Sequence, residues 1–292
     1  MNKTHLFHVL LLLALVASFD LQAQHLRRRT RLPDNLKEIS GMTRLPNGDL
    51  WMLNDGGNTP QLFRFDPVQG AILETLTLPA PNLDWEDLSS DPAGNLYIGD
   101  FGNNLNNRRD LCIFRYQSAT GAFDSILFSY PDQHDFPPKN EKDWNFDCEA
   151  MVFFGDSLHL FSKNRFKSNF VTKHYVVPAR PGRYVAELRD SIRLNKRVVT
   201  GAALSPDGKT LALTAYMLGF KWGFLPFTKA STFYVSAFSK TNFFSGKIKR
   251  VRLPKFLIAR QFESVVAWDK DCWLAANEGI GPQRAALWRI KK

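Results

Sequence analysis

The chain has 292 residues and a formal net charge of +10 at neutral pH. Hydrophobic residues make up 44% and charged residues 23%, the composition of a globular protein; this excludes collagen, a coiled coil, a disordered chain and a multi-span membrane protein. Apart from Arg27-Arg28-Arg29 the positive charge is spread along the chain without a nucleic-acid-binding motif, so anionic partners are expected but nucleic acid is not.

Residues 1–23 read as a secretory signal. Lys3 supplies the positive start, Leu6 to Phe19 an apolar stretch too short to span a bilayer comfortably, and Ala23 a small residue before a cut at Gln24. An uncleaved anchor is the alternative. No cysteine stands at the cut, so no lipoprotein anchor is expected. The expectation is an exported protein, periplasmic or extracellular, with no transmembrane segment in a mature chain of 24–292. Removing 1–23 takes away one lysine and one aspartate and leaves the net charge at +10. The three cysteines, Cys112, Cys148 and Cys272, have no zinc spacing; export permits one pair, but they read mainly as small apolar strand residues.

From residue 26 onward, short apolar runs rich in β-branched and aromatic residues are cut by Pro, Gly, Asn and Asp, an all-β pattern. Four segments align as hairpins: Ser40-Gly-Met-Thr-Arg-Leu-Pro-Asn-Gly48, Glu86-Asp-Leu-Ser-Ser-Asp-Pro-Ala-Gly94, Thr200-Gly-Ala-Ala-Leu-Ser-Pro-Asp-Gly208 and Glu263-Ser-Val-Val-Ala-Trp-Asp-Lys-Asp271. A fifth, Glu149 to Asp156, is one residue shorter at the turn. The anchors Ser40, Glu86, Glu149, Thr200 and Glu263 lie 46, 63, 51 and 63 residues apart. A four-stranded propeller blade with its loops takes about 40–50 residues. The spacing therefore predicts a single-domain β-propeller of five blades, with six as the alternative if a long interval hides a degenerate blade. Only three strands fit after Glu263, so Leu26 to Leu32 is expected to close the ring.

In a propeller the start of each first strand and the end of each second strand share a face. The second strands are expected to end at Asp55, Asp100, Lys163, Ala215 and Glu278, 14 or 15 residues after their anchors. Two leading segments repeat, Asn82-Leu-Asp84-Trp-Glu86 and Asn145-Phe-Asp147-Cys-Glu149. Alternation in an extended chain sends Asn, Asp and Glu to one side. The exits Asp55-Gly-Gly-Asn58 and Asp100-Phe-Gly-Asn103 add oxygens around glycines that permit positive φ. Glu38, Glu263 and Glu278 join the same rim. Crowded carboxylates call for a cation, and Asp55, Asp84, Glu86, Asp100, Asp147 and Glu149 are the candidate ligands for calcium. The competing reading is that these acids cap strand ends and pair with Arg108, Arg109 or Arg165.

Lys163 and Arg165 are candidates for holding a substrate anion, against the ordinary alternative of solvated rim charges. His134 is a loop histidine with either a base role or plain exposure. The segment Tyr216 to Phe227 is too apolar to lie freely in water and includes Trp222; it reads as a lid over the channel mouth, a contact for membrane or partner, or a buried blade segment.

Glu38-Ile-Ser-Gly-Met42, Asn54-Asp-Gly-Gly-Asn58, Asp84-Trp-Glu-Asp87, Ile98-Gly-Asp-Phe-Gly-Asn-Asn104 and Gln261-Phe-Glu-Ser264 resemble a group of secreted bacterial propeller proteins of unassigned function, akin to the SdiA-regulated and phytase-like esterase propellers. The resemblance covers nearly the whole mature chain. More distantly the chain is similar to calcium-dependent propeller phytases, apyrases and sugar lactonases. That similarity implies a metal over the central channel.

The expected function is calcium-assisted hydrolysis of an anionic ester, a phosphoester or lactone, with Glu86 and Glu149 as catalytic ligands or base and Lys163, Arg165 and Trp222 toward the substrate. The alternative is a non-catalytic ligand-binding or scaffold propeller of the cell envelope. The partner is then an anionic small molecule or an envelope component, and the protein a monomer.

Overall fold

Four of the five aligned hairpins turn on a glycine in the left-handed region and the fifth on a short Asp-containing loop, and each becomes the two inner strands of one antiparallel sheet. At Gly48, Gly94 and Gly208 φ is 96°, 82° and 67°. In the shortened hairpin Gly155 and Asp156 are both left-handed, with φ 57° and 59°, as a two-residue turn requires.

The computed structural model describes residues 28–164, 170–221, 225–239, 242–253, 260–281 and 283–292, the side chains of 221, 225 and 226 excepted. The expected signal at 1–23 and the candidates Arg165 and Trp222 lie outside the described residues.

Strand β1 (Arg29–Arg31) precedes the first hairpin. Blade one is β2 (Ile39–Arg44), β3 (Leu50–Asn54), β4 (Gln61–Asp66) and β5 (Ala71–Thr77). Blade two is β6 (Trp85–Ser90), β7 (Leu96–Asp100), β8 (Cys112–Tyr116) and β9 (Phe123–Ser129). Blade three is β10 (Asp147–Phe154), β11 (Ser157–Lys163), β12 (Val171–Pro178) and β14 (Glu187–Arg193); between its last two strands β13 (Gly182–Val185) crosses over to pair parallel with β9. Blade four is β15 (Val198–Leu204), β16 (Thr210–Lys221), β17 (Leu225–Ser236) and β18 (Lys247–Arg252). Blade five is β19 (Phe262–Ala267), β20 (Cys272–Asn277) and β21 (Ala286–Lys291).

The ring closes through the N-terminal strand, since β1 pairs antiparallel with β21, Arg29 opposite Trp288 and Arg31 opposite Ala286. Inner strands touch in the order β2, β6, β10, β15, β19 and back to β2. Five blades account for the described chain. The long Glu86–Glu149 interval is taken up by connections on either side of β8 and β9, and the Thr200–Glu263 interval by the long β16–β17 ribbon. Apolar side chains fill the wedges between neighbouring blades, with Trp85, Phe161, Phe262 and Trp273 fully buried. All three cysteines are buried, unpaired and on strands, as their apolar reading expects. Among the described residues no helix is long and apolar enough to cross a membrane.

Candidate functional site

All five inner strands carry the same irregularity. The ladder skips one residue between Ile39 and Gly41, Trp85 and Asp87, Cys148 and Ala150, Val199 and Gly201, and Phe262 and Ser264. The skipped residues are Ser40, Glu86, Glu149, Thr200 and Glu263, the five anchors of the repeat. A bulge leaves its extra residue unpaired and re-aims the side chain. Here Ser40, Glu86, Glu149 and Glu263 line a cavity of about 340 Å³ at one mouth of the channel. The two hydroxyls are used for stitching: Ser40 donates to the carbonyl of Glu86 and Thr200 to that of Phe262, each at 2.6 Å. Three buried glutamates remain.

The second strands complete the wall. Asp147 faces Lys163 and Val198 faces Tyr216 across their ladders; the matching positions in the other blades are Asp55, Phe101 and Glu278, one residue past the pairs Ile39–Asn54, Trp85–Asp100 and Phe262–Asn277. Asp55, Lys163, Tyr216 and Glu278 line the cavity, whereas Phe101 turns into the core. Asp100 and Ala215 therefore sit one position off the expected column. The second hairpin equals the first in length, so its counterpart of Asp55 is Phe101 and not Asp100; the fourth is a residue longer, which moves the wall position from Ala215 to Tyr216, and one step reverses the facing side.

Two carboxylate triplets form. One oxygen each from Asp55, Asp84 and Glu86 lies within 4.8 Å of the others, and the same holds for Glu86, Asp147 and Glu149. Glu86 belongs to both. The surrounding loops explain the placement. Asn103 N–H donates to Asp147 at 2.7 Å, so the exit from blade two positions an acid of blade three. Gly102 is required for space rather than for positive φ: a Cβ there would fall on the carboxylates of Glu86 and Asp84. Gly57, with φ 78°, does need the left-handed region. Asn82 and Asn145 do not join the acids. Asn82 donates to the carbonyl of Asp55 at 2.9 Å and Asn145 to that of Val171 at 2.8 Å, because regular strand begins only after each Asn.

Asp100 is drawn away from the triplets. Its carboxylate accepts from the Asp84 N–H at 3.1 Å and ion-pairs with Arg108 at 3.0 Å, in line with the capping alternative for this one acid. Lys163 Nζ lies 2.5 Å from Glu149 and is, among the described residues, the one lysine or arginine lining the cavity. Burial opposes its charge, yet Glu149, Tyr216, Glu263 and Asp147 hold its pKa well above the ordinary lysine value.

One ammonium does not neutralise this many acids. Burial, then repulsion from Glu149 and Asp55, pushes Glu86 well above the usual carboxylate range. Burial also raises Glu149, against the pull of Lys163. Burial raises Glu263 to about 8 despite the nearby Lys163, with Glu278 and Asp55 adding to the rise. Burial raises Asp55, Asp84 and Glu278 in the same direction. The donor set is all oxygen, and Glu263 Oε2 is buried without a hydrogen-bond partner among the described residues. Hard cations such as calcium take such ligands, so the residues fit one.

Sequence reading named Glu263 and Glu278 as rim acids but missed Tyr216, Gln261 and Asn104 as wall residues. Gln261 is held by a hydrogen bond to Glu278. Its motif, Gln261-Phe-Glu263, was visible, but nothing local marked the glutamine. His134 is exposed in its loop and does not line this cavity. The apolar stretch after Tyr216 is a two-stranded ribbon, paired as far as Lys221 and Leu225, and Phe220 on it is 61% exposed, which removes the buried-blade reading for that residue.

No family model matches the sequence, and no curated protein matches it. Solved structures share its fold at low identity. Penicillium chrysogenum alpha-L-arabinanase complexed with arabinobiose is similar at 10% identity and a TM-score of 0.49, over 89% of this chain and 96% of that one. A putative gluconolactonase is similar at 11% identity and 0.48, over 89% and 77%. Staphylococcus aureus virginiamycin B lyase is similar at 13% and 0.39, over 88% and 68%. These likenesses concern the fold alone.

Proposed function

We propose that the acidic mouth binds a hard divalent cation, calcium in an exported protein, and that the protein hydrolyses an anionic ester, a phosphoester or lactone. The observation that carries this reading is the pair of carboxylate triplets sharing Glu86, crowded beside Lys163. Asp55, Asp84, Glu86, Asp147 and Glu149 would hold the ion; Asp100 is left out because Arg108 already takes its carboxylate. A bound cation of this kind acts as a Lewis acid on a carbonyl or phosphoryl oxygen.

The chain's own groups supply the remainder. Glu86 and Glu149 present oxygens from bulged positions that a regular strand would not aim inward. Glu263, with its pKa raised to about 8, takes up or releases a proton near neutral pH, the range in which a general base works best. Lys163 restrains Glu149 and offers positive charge to an incoming anion. Arg165 and Trp222 keep their proposed substrate roles. Export through the 1–23 signal and a monomeric state belong to the same reading.

The Lys163–Glu149 ion pair also favours a second reading, in which the mouth is partly neutralised from within and the protein binds a ligand or envelope component without turnover. Metal analysis of the purified protein, followed by assays on generic phosphoesters and lactones with calcium or chelator, separates the two. Stoichiometric calcium and chelator-sensitive turnover are the expected result. Metal-free protein that gains neither calcium nor activity overturns the hydrolase.

A further inference from the structure

A second charged cluster, of the opposite sign, lies on the outer half of blade four. A cavity of about 240 Å³ is lined by Arg197, Lys229, Ser231, Arg250 and Arg252, and among the described residues no carboxylate lines it. It shares no lining residue with the acidic mouth. The strands explain the convergence. Ser231 on β17 lies opposite Arg252 on β18, and Phe233 opposite Arg250, so the two arginines, two apart, share the face of Ser231 and Lys229.

Arg197 arrives from another direction. Asn195 and Lys196 are both left-handed, with φ 47° and 58°, and this tight reversal turns Arg197 inward just before β15. Its Nη1 donates to the carbonyl of Asn195 at 3.0 Å. The residue is only 9% exposed, yet its Nε is buried without a hydrogen-bond partner among the described residues. Ser231, 1% exposed, has a buried hydroxyl in the same condition. Among the described residues none of the four cations forms an ion pair; Lys229 lies over the ring of Phe227, 5.4 Å from its centroid. Burial and repulsion from Arg250 and Arg252 all disfavour the charge of Arg197.

A buried, unsatisfied guanidinium among like charges is costly, and an anion relieves both costs. Three guanidinium groups, an ammonium and a hydroxyl offer more charge and more donors than one carboxylate uses; a tetrahedral dianion matches them better. The cavity is smaller than the roughly 300 Å³ at which ordinary small-molecule pockets begin, so it suits one such group with a short stub. We propose that this cavity is a binding site for a phosphate group, free or as a small monoester, held by Arg197, Arg250, Arg252, Lys229 and Ser231.

Titration calorimetry on metal-stripped full-length protein tests this, with inorganic phosphate as the probe at constant ionic strength. Arg250 and Arg252 are exposed on the outer strand, so the double variant Arg250→Gln, Arg252→Gln leaves the core intact. The control, Lys247→Gln with Lys249→Gln, removes the same charge from the other face of that strand. Saturable binding, weakened about tenfold or more by the arginine pair and unchanged in the control, is expected. No saturable binding, or equal weakening in both variants, overturns the site. Glycerol phosphate forms the second arm: tighter binding than phosphate at the same residues identifies a monoester as the ligand, and weaker binding identifies the free ion, either in support.

Discussion

The carboxylate of Asp87 accepts the backbone N–H of Met151, 64 positions away in the next blade, at 2.7 Å. Its other oxygen accepts Leu88 N–H at 2.8 Å, and Ala202 of blade four supplies a further backbone hydrogen bond. One side chain thus ties three inner strands below the acidic mouth. Replacing it with alanine leaves several buried donors without partners, each worth about 1–3 kcal/mol. Asp87→Ala is expected to lose about 2–5 kcal/mol in urea unfolding, and Asp87→Asn less because one acceptor oxygen remains.

The raised carboxyls of the mouth set a pH dependence. Between the ordinary glutamate value of 4.5 and about 8, folded Glu263 holds a proton that the unfolded chain has released. The stabilising contribution is fully present below 4.5 and is lost as the pH rises through about 8. Glu86 and Glu149 act in the same sense. Metal-free protein should therefore melt at a lower temperature at pH 8 than at pH 5. Calcium must displace these protons, so its apparent affinity should rise over the same interval. Scanning calorimetry across the pH series, with and without calcium, reads both; a flat profile would count against the buried acids.

Lys163 is the internal counter-charge of the mouth. In metal-free protein Lys163→Met leaves Glu149 buried without its partner, a loss of about 3–5 kcal/mol at neutral pH. Added calcium should recover part of that loss, because it replaces the missing positive charge. Chemical denaturation of wild type and variant, each with calcium and with chelator, gives the four stabilities needed. A calcium effect of the same size in both proteins would show that Lys163 and the ion do not share the acids.

Closure through β1 makes a further demand on stability. Deleting 28–32 removes the edge strand of blade five and the buried Leu32, and exposes the ladder of β21. Burial of a leucine alone contributes about 1.5–3 kcal/mol, and an open sheet edge invites association. The truncated protein is expected to melt several degrees lower and to elute partly as larger species on size exclusion. Wild-type behaviour in both measurements would mean that the strand is dispensable.

The blade count, the five anchors and the closing strand were legible in the residues because they rest on local rules: turn glycines, alternating apolar positions and one polar residue recurring near the start of each first strand. Glu86, Glu149 and Glu263 stood out for that reason. What the alignment did not carry was register. Asp55 and Asp100 stand alike in the exits Asp55-Gly-Gly-Asn58 and Asp100-Phe-Gly-Asn103, yet they lie 15 and 14 residues after their anchors, and that single step puts Asp55 in the cavity and Asp100 against Arg108. Nor did any local pattern give the roles of Asp87, Tyr216 or Arg197, whose surroundings come from strands of other blades or from a reversal just before β15. Turn chemistry acts within a few residues and is written in the sequence. Which oxygens meet, which charges go unpaired and which way a bulge points depend on packing between blades, and only the closed ring decided them.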